Sequence, residues 1–254
     1  MSDHAKRPRF FVPAPSDSLA PTFAAGREVA LPPTEAHHAA HVLRLRAGDA
    51  VELFDGRGGS AVARLVHARR GDVAAAVETV GPAASRPRPA LDLAFAVPKG
   101  KRLDWLLEKA TELGAASLRP VRFARSVAGA ESLSAAARER WRAHTIAAAK
   151  QSGLAFLPEI REALPLGAFC AGARPGVYGD AAAGAASAAE AFGRVAGAPA
   201  IVILVGPEGG LTDDERRLAD AAGLLAVRLG RTTLRTETAA VALLAVAAAL
   251  AGSS

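Results

Sequence analysis

The sequence predicts an α/β protein in two parts, a small β-barrel followed by a domain built on a parallel sheet, and three observations predict it. Near the carboxyl end, two strand–loop–helix units each place a glycine-bearing turn between an apolar run and a helix. Toward the amino end, five short apolar runs are separated by Pro, Gly and Asp. Between the two regions lies a proline-rich stretch without periodicity, residues 81–89.

Size and composition agree. The chain has 254 residues, 50% of them apolar, enough for a substantial core. Its formal charge of +6 favours a polyanionic partner, because clustered Arg and Lys neutralise phosphates and release counterions. The single cysteine, Cys170, cannot form an internal disulfide and reads as a small core residue of a protein in a reducing, cytoplasmic setting. Met1 to Arg9 is polar and basic with no apolar stretch behind it, so no signal peptide is expected. The longest apolar tract, residues 239–251, is too short to span a bilayer, and no membrane partner is expected.

In chain order, strands are predicted at 10–12, 28–31, 51–54, 61–66 and 73–77, with Asp55-Gly56 as a hairpin signal. One helix interrupts them, from Thr34 as N-cap to Leu43. His37 and His41 lie four apart on it, but no third ligand accompanies them and no metal is expected. The barrel domain is placed at residues 1–80 and the second domain at 90–254.

The second domain opens with a strand at 91–97, followed by Pro98-Lys99-Gly100-Lys101-Arg102, which lacks P-loop spacing but carries three cations suited to a phosphate. Leu103, Leu106, Leu107, Ala110 and Leu113 recur at helical spacing, and Gly114 ends that helix. Glu108 and Glu112 beside Lys109 read as a charged helix face rather than paired catalytic carboxylates. A strand at 117–121 exits through Arg122-Phe123-Ala124-Arg125-Ser126-Val127, and a helix follows from Leu133 to Gln151. A short strand is expected at 176–179, and the Ala-Gly tract 181–189 reads either as a weak helix or as a mobile surface segment.

The first of the two units runs from the β-branched strand 200–205 through Gly206-Pro207-Glu208-Gly209-Gly210 to a helix whose capping box is Thr212 with Glu215. In the second, a strand at 226–229 meets the loop Gly230-Arg231-Thr232-Thr233-Leu234-Arg235-Thr236 and then an apolar helix, 237–250. The two loops are expected to leave neighbouring parallel strands at their carboxyl ends, making the kind of crevice in which open α/β sheets bind ligands, and the ligand is expected there.

These blocks carry a resemblance. Leu204-Val205-Gly206-Pro207-Glu208-Gly209-Gly210, Leu229-Gly230 with Leu234-Arg235-Thr236-Glu237-Thr238-Ala239, and Lys109-Ala110-Thr111-Glu112-Leu113-Gly114 resemble the SPOUT superfamily of knotted methyltransferases. Within it they are most similar to the ribosomal RNA small subunit methyltransferase E family, which methylates N3 of a uridine in small-subunit ribosomal RNA. His38, Val42-Leu43-Arg44 and Gly48-Asp49 resemble that family's PUA-like amino-terminal domain. The chain departs from the family pattern at Ala124, Lys150 and Leu154, where Glu, Glu and Arg are usual.

The resemblance implies a SPOUT-type knotted α/β domain behind a PUA-like RNA-binding barrel, with S-adenosylmethionine as cofactor. The cofactor would be held by Leu204, Gly206, Pro207, Glu208, Gly209, Leu229, Gly230, Leu234 and Thr236. Arg235, and after it Arg125, would stabilise the anionic uracil ring formed when the N3 proton leaves. Glu208 is a candidate base, with loop capping and an activated water as alternatives. Arg9, Arg44, Lys99, Lys101 and Arg102 would contact ribosomal RNA, and the chain would form a homodimer. Two other classes stay open on the residues alone. A non-catalytic RNA-binding assembly factor fits the charge and the first domain, and an NAD-linked oxidoreductase fits glycine loops after strands but lacks the G-x-G-x-x-G spacing.

Overall fold

The structure, a computed structural model, describes residues 7–14, 21–69, 71–126, 133–172, 175–181 and 184–251. Val127 of the predicted strand exit and Ala182 and Ala183 of the Ala-Gly tract lie outside these. The chain divides into two compact units, residues 1–86 with 149–157, and residues 87–148 with 158–254.

In the first unit, β1 (Arg9–Phe11), β2 (Glu28–Ala30), β3 (Ala50–Phe54), β4 (Ser60–Arg69) and β5 (Asp72–Val80) form one sheet in the order β1-β3-β4-β5-β2. All its pairings are antiparallel except β1 with β3. The strands bury alternate residues, so Val51 and Leu53 of β3 meet Ala61, Ala63 and Leu65 of β4 in one core. The interrupting helix differs from expectation. It starts one residue early, α1 (Pro33–His37), with Pro32 as N-cap and no side-chain cap: Pro33 at the first helical position already has the helical φ, and its missing N–H is one the helix would leave unbonded. From His38 to Val42 the turn widens to π geometry, and Arg44 follows with φ +54°, in the left-handed region.

In the second unit, β6 (Ala90–Phe95), β7 (Ser117–Arg122), β8 (Glu159–Ile160), β10 (Gly176–Gly179), β11 (Ala186–Ser187), β12 (Ala200–Val205) and β13 (Leu224–Arg228) make a parallel sheet in the order β11-β13-β10-β12-β6-β7-β8, and β9 (Leu164–Pro165) pairs with the end of β7. Helices α2 (Lys101–Glu112), α3 (Ala135–Ser152, of which the end from Ala149 belongs to the first unit), α4 (Leu166–Ala171), α5 (Ala188–Val195), α6 (Asp213–Ala221) and α7 (Thr236–Ala251) connect the strands or follow them. None of the described helices is long and apolar enough to cross a membrane. β12 shows why the sequence there is continuously apolar. Ile201, Ile203 and Val205 enter the core that α2 and α7 cover, whereas Val202 and Leu204 enter the one containing α4 and α6, so both faces are buried.

The two glycine-loop strands are not neighbours, contrary to the sequence expectation. β10 lies between β12 and β13 and pairs in parallel with both. It can do so because residue 176 is glycine: a Cβ there would stand 2.2 Å from the Val202 carbonyl oxygen. Four residues give too little periodicity to set a strand's place in a sheet. The short elements β8, β9, α4, β11 and α5 lie between residues 158 and 197, where Pro, Gly and Ala dominate and no periodicity marks a strand or helix.

Candidate active site

The carboxyl ends of β12, β13 and β10 converge on one cavity of about 320 Å³, toward the lower end of the ~300–1,000 Å³ usual for small-molecule sites. Its first wall is the turn after β12. Gly210, at φ +68°, closes that turn with its N–H on the Pro207 carbonyl at 2.8 Å. At Gly206 a Cβ would lie 2.3 Å from Cδ1 of the buried Leu211, so any side chain there must displace that methyl within the core. The second wall is the loop after β13, and Thr236 at its end donates Oγ1–H to the Gly206 carbonyl at 3.0 Å, tying the start of α7 to the first turn.

Glu215 fixes the first loop from behind. The expected capping box forms, and the Glu215 carboxylate accepts the Thr212 N–H at 2.8 Å and the Ala124 N–H at 2.6 Å. One buried side chain therefore joins the start of α6 to the exit of β7, from which Arg125 donates Nη1–H to the Gly209 carbonyl at 2.6 Å. Glu215→Ala leaves two N–H groups without this partner and is expected to destabilise the protein by about 3 kcal/mol. Urea unfolding checks this, and a loss below about 1 kcal/mol would show that water replaces the carboxylate.

Of the residues expected at the cofactor, Gly206, Pro207, Glu208, Leu229, Gly230, Leu234 and Thr236 line the cavity. Leu204 does not: its side chain is fully buried among core residues below. Gly209 is absent from the lining, and its carbonyl is occupied by Arg125. Arg235 is exposed, between the lining residues Leu234 and Thr236. The structure adds residues that sequence reasoning passed over: Gly179 and Asp180 at the end of β10, and Arg216 on α6, whose Nε–H donates to Asp180 Oδ2 at 2.6 Å. Only the placement of β10 brings Asp180 here.

Glu208 accepts Arg102 Nη1–H at 2.6 Å, so this candidate base is engaged by a cation in the first turn of α2. Lys99 of the loop after β6 and Lys101 at the start of α2 are exposed. Lys109 is held by Glu108 and Glu112 at 2.8 and 2.9 Å, a charged helix face as the spacing implied. In the first unit Arg44 is exposed, but Arg9 requires a correction. Its guanidinium lies 4.1 Å above the Phe54 ring, donates to Glu52 Oε1 at 2.9 Å and to the Ala149 carbonyl at 2.8 Å, and is only 6% exposed. Burial lowers its pKa and Glu52 opposes the shift, which makes Arg9 a strut of the first unit rather than a phosphate contact.

The cavity offers main-chain groups at glycines, apolar faces from Leu211, Leu229 and Leu234, and a paired carboxylate and guanidinium. That combination suits a nucleoside carrying a short charged tail. Residues 85–248 match the family described as RNA methyltransferase domain, and residues 31–78 match the RNA methyltransferase PUA domain. The chain is 37% identical over 218 residues to ribosomal RNA small subunit methyltransferase E of Mycobacterium bovis, covering 81% of this chain and 80% of that protein. Among solved structures it resembles ribosomal RNA small subunit methyltransferase E from Neisseria gonorrhoeae bound to S-adenosyl methionine, with a TM-score of 0.80, 30% identity and coverage of 94% and 95%. It also resembles a Legionella pneumophila protein solved with bound cofactor SAM, with a TM-score of 0.85, 27% identity and coverage of 96% and 98%.

Proposed function

Because this chain belongs to the ribosomal RNA small subunit methyltransferase E family and is an S-adenosylmethionine-dependent ribosomal RNA methyltransferase, we propose that it methylates N3 of one uridine in small-subunit ribosomal RNA. The observation that carries the reading is the convergence of the glycine-rich turn after β12, the loop after β13 and the end of β10 on one cavity of nucleoside size. Gly206, Gly230 and Thr236 would hold the cofactor through main-chain groups, with Leu229 and Leu234 against its adenine. When bound, the cofactor supplies a methyl group on a sulfonium sulfur.

The acceptor nitrogen carries a proton, and its loss leaves charge on the uracil ring. Arg235 is exposed between two cavity-lining residues, where its guanidinium meets that charge as it develops. Arg125 acts less directly, by holding the Gly209 carbonyl and with it the first turn. Arg44 in the first unit and Lys99 and Lys101 in the second take backbone phosphates, with Arg102 between the RNA and Glu208. The chain works as a cytoplasmic homodimer. Its backbone is knotted, a reading supported by Thr236 reaching back to Gly206 although β10 separates β13 from β12.

The test is mass spectrometry of ribosomal RNA from a strain lacking the protein. One N3-methyluridine of the small subunit should disappear and return on complementation, and an unchanged modification profile counts against the proposed acceptor. At the cofactor site, Gly206→Val is expected to weaken S-adenosylmethionine binding by at least about tenfold in calorimetry, because the added methyls collide with buried Leu211. Gly209 is the poorer probe: a Cβ there meets only the flexible Arg125 side chain, at 3.2 Å. Unaltered affinity in Gly206→Val would place the cofactor elsewhere.

A further inference from the structure

One wall of the cavity comes from neither glycine loop. Asp180 follows β10, its main-chain N–H bonded to the Val227 carbonyl at 2.9 Å, and its side chain is only 7% exposed although it lines the cavity. Arg216 lines the same cavity and is held between two carboxylates, by Nε–H to Asp180 Oδ2 at 2.6 Å and by Nη1–H to Asp213 Oδ1 at 2.9 Å. The bond to Asp180 is the largest influence on Arg216 and raises its pKa, so the guanidinium stays charged.

This pairing decides what Asp180 can receive. An ionised carboxylate offers about four lone-pair sites, so a bond from Arg216 does not exhaust it. A second cation, such as an amino-acid ammonium, would be brought beside the guanidinium and repelled. A neutral O–H donor meets no such opposition. An acidic side chain at the carboxyl end of a parallel strand is also where open α/β sheets take the hydroxyls of a ribose.

We propose that Asp180, oriented by Arg216, accepts hydrogen bonds from the ribose hydroxyls of the cofactor, as a binding determinant separate from the two glycine loops. This rests on the S-adenosylmethionine-dependent reading above. Because the contact is to the nucleoside, it serves cofactor and demethylated product equally. Asp180 therefore sets cofactor affinity and does not discriminate between the two.

Isothermal titration tests this with S-adenosylmethionine, S-adenosylhomocysteine, the 2′-deoxy and 3′-deoxy forms of the latter, and 5′-methylthioadenosine, against wild type, Asp180→Asn and Asp180→Ala. In wild type, removal of a hydroxyl is expected to weaken binding by about tenfold. Asp180→Ala should weaken S-adenosylmethionine and S-adenosylhomocysteine by the same factor. It should show no further loss with the deoxy ligand, and the full effect should persist with 5′-methylthioadenosine, which lacks the amino-acid end. Deoxy ligands that bind wild type undiminished overturn the inference without recourse to any variant. An Asp180 effect that survives hydroxyl removal but vanishes with 5′-methylthioadenosine overturns it too, by moving the contact to the amino-acid end. Wild type that binds none of these ligands overturns the methyltransferase reading itself, a result distinct from failure at Asp180 alone.

Discussion

Arg235→Ala is expected to lower the rate constant for methyl transfer by about 10²- to 10³-fold while changing S-adenosylmethionine affinity by less than about threefold. The size follows from what the side chain is asked to do. A guanidinium beside the reacting ring, as proposed for Arg235, would oppose charge that exists only as the proton leaves, so its removal would raise the barrier without touching the bound ground state. Its position favours this division: the residue is exposed and absent from the cavity lining, while Leu234 and Thr236 on either side line it. Arg125→Ala should behave differently, because loss of the 2.6 Å bond to the Gly209 carbonyl loosens the turn proposed to bind the cofactor and should raise KM more than it lowers kcat. Transfer of labelled methyl groups into ribosomal RNA, with calorimetry alongside, separates the two. Equal losses of rate and affinity in Arg235→Ala would reassign that residue to binding.

Gly176→Val is the second large effect, expected to cost about 3 kcal/mol or more of stability and to abolish cofactor binding together. The added Cβ would stand 2.2 Å from the Val202 carbonyl oxygen, a main-chain atom with no rotamer to escape into. β10 must then part from β12, and it carries Gly179 and Asp180 to the cavity. Chemical unfolding and S-adenosylmethionine titration read the two consequences. A variant with wild-type midpoint and affinity would mean that β10 does not pair as described.

Much of the site was legible in the sequence because it is built from local signals. Thr212 with Glu215 marks a helix start wherever it occurs, and glycines after an apolar run mark a turn that main chain can approach. The family blocks placed Gly206, Leu229, Gly230, Leu234 and Thr236 at one cavity, and all five line it. Arg9 shows the limit of such reading: a cation in a basic amino-terminal segment reads as a phosphate contact, and nothing nearby in sequence announces Phe54, Glu52 or Ala149, the partners that bury it.

From sequence alone came the two-part α/β architecture, the glycine turns and their helix starts, and the family resemblance, because each depends on residue types within a few positions of one another. Tertiary structure alone decided that β10 separates the two loop strands, that Asp180 and Arg216 meet at the cavity, and that Arg9 is withdrawn from solvent. The physical reason is the same in all three. A strand's place in a sheet and the partner of a charge are set by contacts between distant residues, and a four-residue strand or a lone arginine carries no local pattern that specifies them.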